Sequence, residues 1–165
     1  MSTLIQPRQI LIVEENNNPS TDYFVLPHVN TLGLPITKLQ WKDVPTAEQL
    51  DQAFVIIVRY LTPAWKRHLM RASSNIAALA YFMDDDIPDT TASRGLPLKY
   101  RFKLARYGAW QFDWLIQQHA QLWVSTDFLK AKYAVHQPIQ LTPQQIPKPT
   151  ERYRVFYHAT ASHRA

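Results

Sequence analysis

Three consecutive aspartates, Asp84, Asp85 and Asp86, directly follow an apolar run in the stretch IAALAYFMDDDIPDT, residues 76–90. Adjacent carboxylates can coordinate a hard cation such as Mg²⁺ or Mn²⁺, which prefers oxygen ligands. Alternatively, a carboxylate can act as a general base or orient a substrate hydroxyl. The third interpretation gives the aspartates no chemical function. They would form the solvated end of a strand, and one of them would also cap a turn before Pro88. These residues alone leave all three interpretations open.

A second polar stretch, IVEENNNPSTDY at residues 12–23, lies between a predicted strand and a predicted helix. Asn18 and Ser20 are its candidate ligand-binding residues, because helix N-termini favour anions and hydroxyl-rich ligands. The alternative is a turn that an asparagine side chain caps. The chain has three glycines, and none falls in the spacing of a phosphate-binding loop, so nucleotide binding of that kind has little support.

The last polar stretch is YHATASHRA, residues 157–165, where a predicted strand leads into a short loop. The side chains in this stretch that can contact phosphate or hydroxyl groups are those of His158, Thr160, Ser162 and His163. The alternative is an end of the chain that frays.

Composition limits the function classes. The 165 residues are 46% hydrophobic and 19% charged, which is typical of a globular domain. The absence of cysteine excludes disulfides, thiolate metal sites and a cysteine nucleophile. We see no signal peptide or spanning apolar run, and therefore expect a cytoplasmic protein. The net charge of +5 favours anionic partners, but without a Lys/Arg tract we expect no nucleic-acid partner.

Strands and helices that alternate along the chain must position these residues. Short apolar runs predict strands at 9–15, 36–41, 54–60, 76–84, 120–126, 138–146 and 153–160. Helices are predicted at 20–32, bent or broken by Pro27, and at 46–53, 62–73, 96–119 and 126–135, with Thr46, Thr62 and Thr126 as N-caps. The pattern predicts an α/β fold, a Rossmann-like three-layer sandwich with a mostly parallel sheet in a single domain. The aspartates then lie at the carboxyl edge of the sheet, where ligands bind in such folds.

The long predicted helix carries two stripes. One is apolar and predicts the core face, with Leu98, Phe102, Ala105, Ala109, Phe112 and Ile116. The other is basic and runs into tryptophans, with Lys99, Lys103, Arg106, Trp110 and Trp114. Such a stripe can lie on an anionic membrane surface. Alternatively, the tryptophans pack on a neighbouring element while the cations stay solvated.

Four motifs, in the order NNNPSTDYFVLP, YFMDDDIPD, QLWVSTDFL and VFYHATASHR, resemble those of GT-B type nucleotide-sugar glycosyltransferases in the broad retaining group. The resemblance implies two Rossmann-like domains facing each other across a cleft. Residues 1–146 look like the acceptor-side domain, 147–152 like a linker, and 153–165 like the start of an incomplete donor-binding domain. We therefore expect a truncated enzyme that is inactive alone.

The resemblance also implies roles for the candidate residues. The aspartates Asp84, Asp85 and Asp86 would be catalytic or contact acceptor hydroxyls, and Asn18 and Ser20 would line the facing loop. The residues that would lie at the domain junction are His158, Thr160, Ser162 and His163. The complete enzyme would use a nucleotide-sugar donor and a hydroxyl acceptor. It would need no metal and no other cofactor.

Two other functions stay open at the level of sequence. A metal-dependent GT-A type glycosyltransferase would hold Mn²⁺ with the motif from Asp84 to Asp86. A non-enzymatic α/β module would bind an anionic surface through the basic stripe, which would place the protein at the inner face of the membrane through Lys99, Lys103, Arg106 and Trp110.

Overall fold

A computed structural model of the chain describes residues 5–143. It contains one six-stranded sheet in the order β2-β1-β3-β4-β5-β6, and every neighbouring pair of strands is parallel. The strands are β1 (Gln9–Glu14), β2 (Ile36–Gln40), β3 (Ala53–Val58), β4 (Ala78–Met83), β5 (Gln121–Val124) and β6 (Ile139–Gln140). The predicted linker and the incomplete second domain, with His158, Thr160, Ser162 and His163, lie outside the described residues.

Helices cover both faces of the sheet. They are α1 (Leu26–Asn30), α2 (Ala47–Leu50), α3 (Pro63–Arg71), α4 (Leu98–Leu104), α5 (Trp110–Gln117) and α6 (Asp127–Lys132). One hydrophobic cluster packs α3, α5 and α6 on one face, and a second packs α1 on the other. The predicted Rossmann-like three-layer α/β sandwich is therefore confirmed.

Strand β3 shows why the strand sequences are apolar throughout. Val55 and Ile57 point into the first hydrophobic cluster, whereas Ile56 and Val58 point into the second. Successive side chains of a strand face opposite sides, so a strand covered on both faces needs apolar residues at every position. Each such side chain contributes about 1.5–3 kcal/mol when it is fully buried.

Two helices contain π-helical turns. The first, Thr21–Val25, leads into α1, and Pro27 lies in the first turn of α1. The Leu26 N–H donates to the Thr21 carbonyl five residues back, so the missing N–H of Pro27 falls where the helix changes from π to α hydrogen bonding. The interruption predicted at Pro27 is thus present, as a change of helix type.

The second π-helical turn, Ala105–Ala109, lies between α4 and α5 and changes the predicted core face. The prediction of one continuous apolar stripe is wrong for its first half, since Leu98 is 79% and Phe102 54% exposed. The extra residue of a π turn rotates the helix surface. As a result Phe112 still faces the core, but α4 turns its apolar side chains outward.

Candidate functional site

The loops that follow β1, β3, β4 and β5 meet at the carboxyl edge of the sheet, because all these strands run parallel. The chain leaves β1 toward β2 on one side and later returns to add β3 on the other side. Such a reversal opens a crevice outside the strand ends, where open α/β folds bind ligands. The three aspartates follow β4 at this edge.

Asp84 is tied to three loops. The Ser20 hydroxyl donates a hydrogen bond to Asp84 Oδ2 at 2.5 Å. Arg59 Nε lies 3.3 Å from Asp84 Oδ1, and neither atom has a hydrogen-bond partner within the described residues. The Ser125 hydroxyl reaches the Asp84 carbonyl oxygen at 3.4 Å. With its side chain only 15% exposed, Asp84 joins the β1, β3 and β5 loops.

Asp85 is the aspartate that faces solvent, with its side chain 67% exposed. Arg59 Nη2 donates to Asp85 Oδ2 at 2.6 Å. One guanidinium therefore contacts two adjacent carboxylates, which offsets their mutual repulsion.

Arg59 is the functional candidate that the sequence interpretation missed. Burial lowers the pKa of Arg59, but the surrounding groups together raise it by more, with the Asp84 carboxylate contributing most, so the guanidinium stays charged. Its backbone has φ 64°, a left-handed conformation that is uncommon for a side-chain-bearing residue. The Tyr81 hydroxyl donates to the Arg59 carbonyl oxygen at 2.8 Å, and the Arg59 N–H donates to the Phe82 carbonyl at 2.9 Å. The available signal was a cation directly after the buried run of β3.

Asp86 points away from Arg59, toward the end of α6. The Tyr133 hydroxyl donates to Asp86 Oδ1 at 2.6 Å, and Lys132 Nζ donates to Asp86 Oδ2 at 2.5 Å. Lys132 also pairs with Asp89. Burial and the hydrogen bond to Asp86 raise the pKa of Tyr133, so this phenol stays a donor at neutral pH.

The aspartates therefore diverge. Asp84 and Asp85 contact Arg59, whereas Asp86 contacts Lys132. Among residues 5–143, no group of three or more metal-ligand side chains converges on one point. The arrangement gives no support to an Asp-x-Asp metal motif, because Asp84 and Asp86, the two ligands of such a motif, contact different cations.

The loop after β1 is organised by a buried carboxylate that the sequence interpretation also missed. Glu14, 2% exposed, accepts hydrogen bonds from the Thr21 hydroxyl at 2.6 Å and from the Asn18 N–H at 3.3 Å. Lys38 Nζ completes its shell at 2.9 Å. The Asn18 side chain accepts from the Ser20 N–H at 3.1 Å, which is the capped turn considered as the alternative role for this loop.

A cavity of about 690 Å³ lies beside Arg59, and we call it the Arg59 cleft. Its walls come from the β3 and β4 loops and from the segment leading into α4; they are Arg59, Asp85, Asp86, Ile87, Ala92, Ser93, Leu96, Pro97, Tyr100 and Leu104. This volume suits a small-molecule ligand. The cleft thus has charged groups on one wall and mostly apolar side chains on the other.

Gly108 lets the long helix approach the aspartate loop. A Cβ at this position would lie 2.1 Å from Cγ2 of Ile87, which follows Asp86 and is 3% exposed. The Leu61 N–H donates to the carbonyl of Tyr107 at 2.8 Å and ties the β3 loop to the same turn. The contact with Ile87 therefore positions one wall residue of the Arg59 cleft.

The side chains of the basic stripe on the long helix lie in two different environments. Lys103 Nζ pairs with Glu15 at 2.6 Å and lies over the rings of Trp41, Tyr60 and Tyr100. The other stripe members Lys99, Arg106 and Trp110 are exposed, whereas Trp114 is partly buried beneath Lys66. Within residues 5–143, no helix combines the length and the apolar character needed to cross a membrane.

No family model matches the chain, and neither the curated proteins nor the solved structures contain a match to it. The functional interpretation therefore depends on the geometry of the carboxyl edge and on the motif resemblance.

Proposed function

We propose that this domain binds a hydroxyl-rich acceptor in the Arg59 cleft, as the acceptor-side part of an enzyme that moves a sugar from a nucleoside-diphosphate donor to an acceptor hydroxyl. The observation that carries the proposal is the pair formed by Arg59 and Asp85 in the wall of a cavity of about 690 Å³ on the carboxyl edge. The order of motifs along the chain supports the same reaction class.

The charge balance of the cleft favours a neutral ligand. Arg59 is paired with Asp85, and Lys132 is paired with Asp86, so carboxylate and cation charges offset each other locally. A phosphate group would meet two carboxylates there. A polyol instead finds acceptors in the carboxylates and donors in the guanidinium. Leu96, Pro97 and Tyr100 supply apolar surface for its C–H groups.

The three aspartates take different roles in this proposal. Asp84 and Asp86 are positioning residues, because Ser20 and Tyr133 hold them in the walls of the site. Asp85 has the more exposed carboxylate and faces the cleft. It would orient an acceptor hydroxyl and accept its proton as the hydroxyl oxygen bonds to the anomeric carbon of the sugar and the nucleoside diphosphate leaves. Arg59 would hold the carboxylate in place through its hydrogen bond.

The test is calorimetric titration of the full chain with a panel of neutral glycosides and with nucleoside-diphosphate sugars. We expect a neutral glycoside to bind, and expect Asp85→Asn and Arg59→Met to weaken binding about tenfold or more, the usual effect of losing a hydrogen bond to a charged group. Asp113→Asn is the matched control, since Asp113 is an exposed carboxylate on α5, outside the cleft.

Two outcomes would contradict the proposal. One is glycoside binding that is unchanged in both cleft variants. The other is tight Mn²⁺ binding that disappears in Asp84→Ala or Asp86→Ala, which would favour the metal-dependent GT-A type enzyme.

A further inference from the structure

The outer surface of the long helix exposes apolar and basic side chains together, and we call it the α4 face. Its apolar members are Leu98, Phe102 and Trp110, which are 79%, 54% and 62% exposed. Its basic members are Lys99 and Arg106, which are exposed, and Arg101, which is half-buried. We propose that the α4 face docks this domain on an anionic lipid bilayer. The inference does not depend on the ligand proposed for the Arg59 cleft.

The apolar side chains form a connected patch. The rings of Phe102 and Trp110 meet edge to face with centroids 6.0 Å apart, and Leu98 borders the same shallow groove as Phe102. Contiguous apolar patches larger than about a few hundred Å² are rare on soluble monomers, and the largest patch of a monomer is often a functional surface. The π-helical turn at Ala105–Ala109 creates this patch by turning the apolar side of α4 away from the core.

The segment that carries the patch has basic residues and no acidic residue, and the nearest carboxylates in the sequence are Asp89 and Asp113 at its two ends. Residues 90–112 contain no Asp or Glu, and their cations are Arg94, Lys99, Arg101, Lys103 and Arg106. Lys103 pairs with Glu15, but the other cations form no salt bridge within the described part of the chain. The guanidinium of Arg106 lies over the rings of Phe102 and Tyr107, which keeps it beside the patch. The α4 face is therefore complementary to a negatively charged surface.

An anionic lipid bilayer can bind both the basic and the apolar side chains of the α4 face. Anionic headgroups match Lys99, Arg101 and Arg106, and the acyl boundary accepts Leu98 and Phe102. Tryptophan prefers the headgroup level of a bilayer, where its ring is partly apolar and partly hydrated. A nucleic acid would satisfy the cations but would leave Leu98 without a partner. Tyr100, on the same helix, lines the Arg59 cleft, so docking would place the cleft close to the membrane.

The test is co-sedimentation of the full chain with phosphatidylcholine vesicles, with and without phosphatidylglycerol. We expect binding only to the anionic vesicles, and a loss of binding at high salt because screening weakens the headgroup attraction. Lys99→Gln and Arg106→Gln should each lower the partition coefficient about fivefold, which corresponds to about 1 kcal/mol per cation near an anionic surface. Phe102→Ala with Trp110→Ala should abolish binding.

The chain offers matched controls on α6. Lys130 is an exposed cation, and Phe128 is a 65% exposed aromatic residue. Lys130→Gln and Phe128→Ala should leave vesicle binding unchanged, and circular dichroism checks that every variant is folded. Failure to bind anionic vesicles, equal binding to neutral vesicles, or equal losses in the α6 controls would each overturn the proposal. Binding to a nucleic acid in place of vesicles would also overturn it.

Discussion

The charged side chains at the carboxyl edge, which we call the carboxyl-edge cluster, are Glu14, Arg59, Asp84, Asp85, Asp86 and Lys132. This cluster and the α4 face lie side by side but differ in how their charges are paired. In the carboxyl-edge cluster, the carboxylates of Glu14, Asp84 and Asp86 each lie beside a cation from another element. On the α4 face, Lys99 and Arg106 form no salt bridge within the described residues. Internal pairing fixes side chains and suits recognition of a neutral ligand, whereas unpaired cations remain available to an anionic partner.

The two regions also differ in how many backbone segments supply their residues. The carboxyl-edge cluster joins loops after β1, β3, β4 and β5, so each of its contacts depends on the fold as a whole. The α4 face belongs to one continuous helical segment. Substitutions in the cluster should therefore change stability, while substitutions on the α4 face should change only binding.

Gly108→Ala should give the largest effect, because it presses the long helix away from the aspartate loop. The added Cβ would lie 2.1 Å from Ile87 Cγ2, so the helix or the loop must move. We expect the free energy of unfolding to fall by about 3 kcal/mol, the upper part of the usual range for overpacking. Urea denaturation measures it. Gly95→Ala is the control, because nothing lies within 4 Å of its added Cβ; an equal loss there would refute the packing explanation.

Comparing Arg59→Met with Arg106→Met tests directly whether a cation in a salt bridge contributes more to stability than one outside any salt bridge. Loss of the Arg59 guanidinium leaves Asp84, with its side chain 15% exposed, without its cation. We expect the free energy of unfolding to fall by about 2 kcal/mol in Arg59→Met and to change by less than about 0.5 kcal/mol in Arg106→Met. Both variants keep a long apolar side chain. Equal effects in urea denaturation would remove the distinction between the two regions.

Tyr81 makes the stability of the carboxyl-edge cluster sensitive to alkaline pH. Burial raises the pKa of Tyr81 above its ordinary value of 10.0, so the folded state keeps a proton that the unfolded state loses. Its contribution is complete below pH 10 and decreases as pH rises above that value. There the free energy of unfolding should fall by about 1.4 kcal/mol per pH unit for this residue. Tyr81→Phe should flatten the decrease by that amount, and an unchanged slope would contradict the assignment.

Lys132→Ala should give the smallest loss of stability, because Asp86 keeps the hydrogen bond from Tyr133, and its clearest effect should be on the titration of Asp89. The hydrogen bond from Lys132 lowers the pKa of Asp89 well below its ordinary value of 3.8, assisted by hydrogen bonds from Thr91. Without Lys132 the pKa of Asp89 should rise toward its ordinary value, as followed by NMR of the carboxyl carbon. Lys130→Ala is the control. If the pKa of Asp89 rises equally in that variant, the cause is the general loss of positive charge and not the loss of the Lys132–Asp89 pair.

Much of the fold is predictable from local sequence. Continuous apolar runs locate the strands, because a sheet buried on both faces needs apolar residues at every position. Thr46, Thr62 and Thr126 cap their helices as predicted, since a threonine side chain satisfies a free N–H at the first turn. The position of the aspartates at the carboxyl edge follows from the same strand pattern.

The pairing within the site is not predictable in this way. Ser20 and Asp84 are 64 residues apart, and Arg59 and Asp85 are 26 apart, so no spacing indicates that they meet. The π-helical turn at Ala105–Ala109 also lacks a periodic signal, and it reverses the orientation expected for Leu98 and Phe102. Both features depend on tertiary contacts that form only once the sheet is assembled.

NMR mapping of a neutral glycoside on the full chain tests the central claim most directly. We expect chemical-shift changes at the backbone amides of Arg59, Asp85, Ser93 and Tyr100, which line the Arg59 cleft. The internal reference is a second cavity, about 440 Å³ and lined by Phe54, Leu69 and Trp114, which should be unaffected. Shifts confined to that second cavity, or no shifts with any glycoside, would contradict acceptor binding at the carboxyl edge.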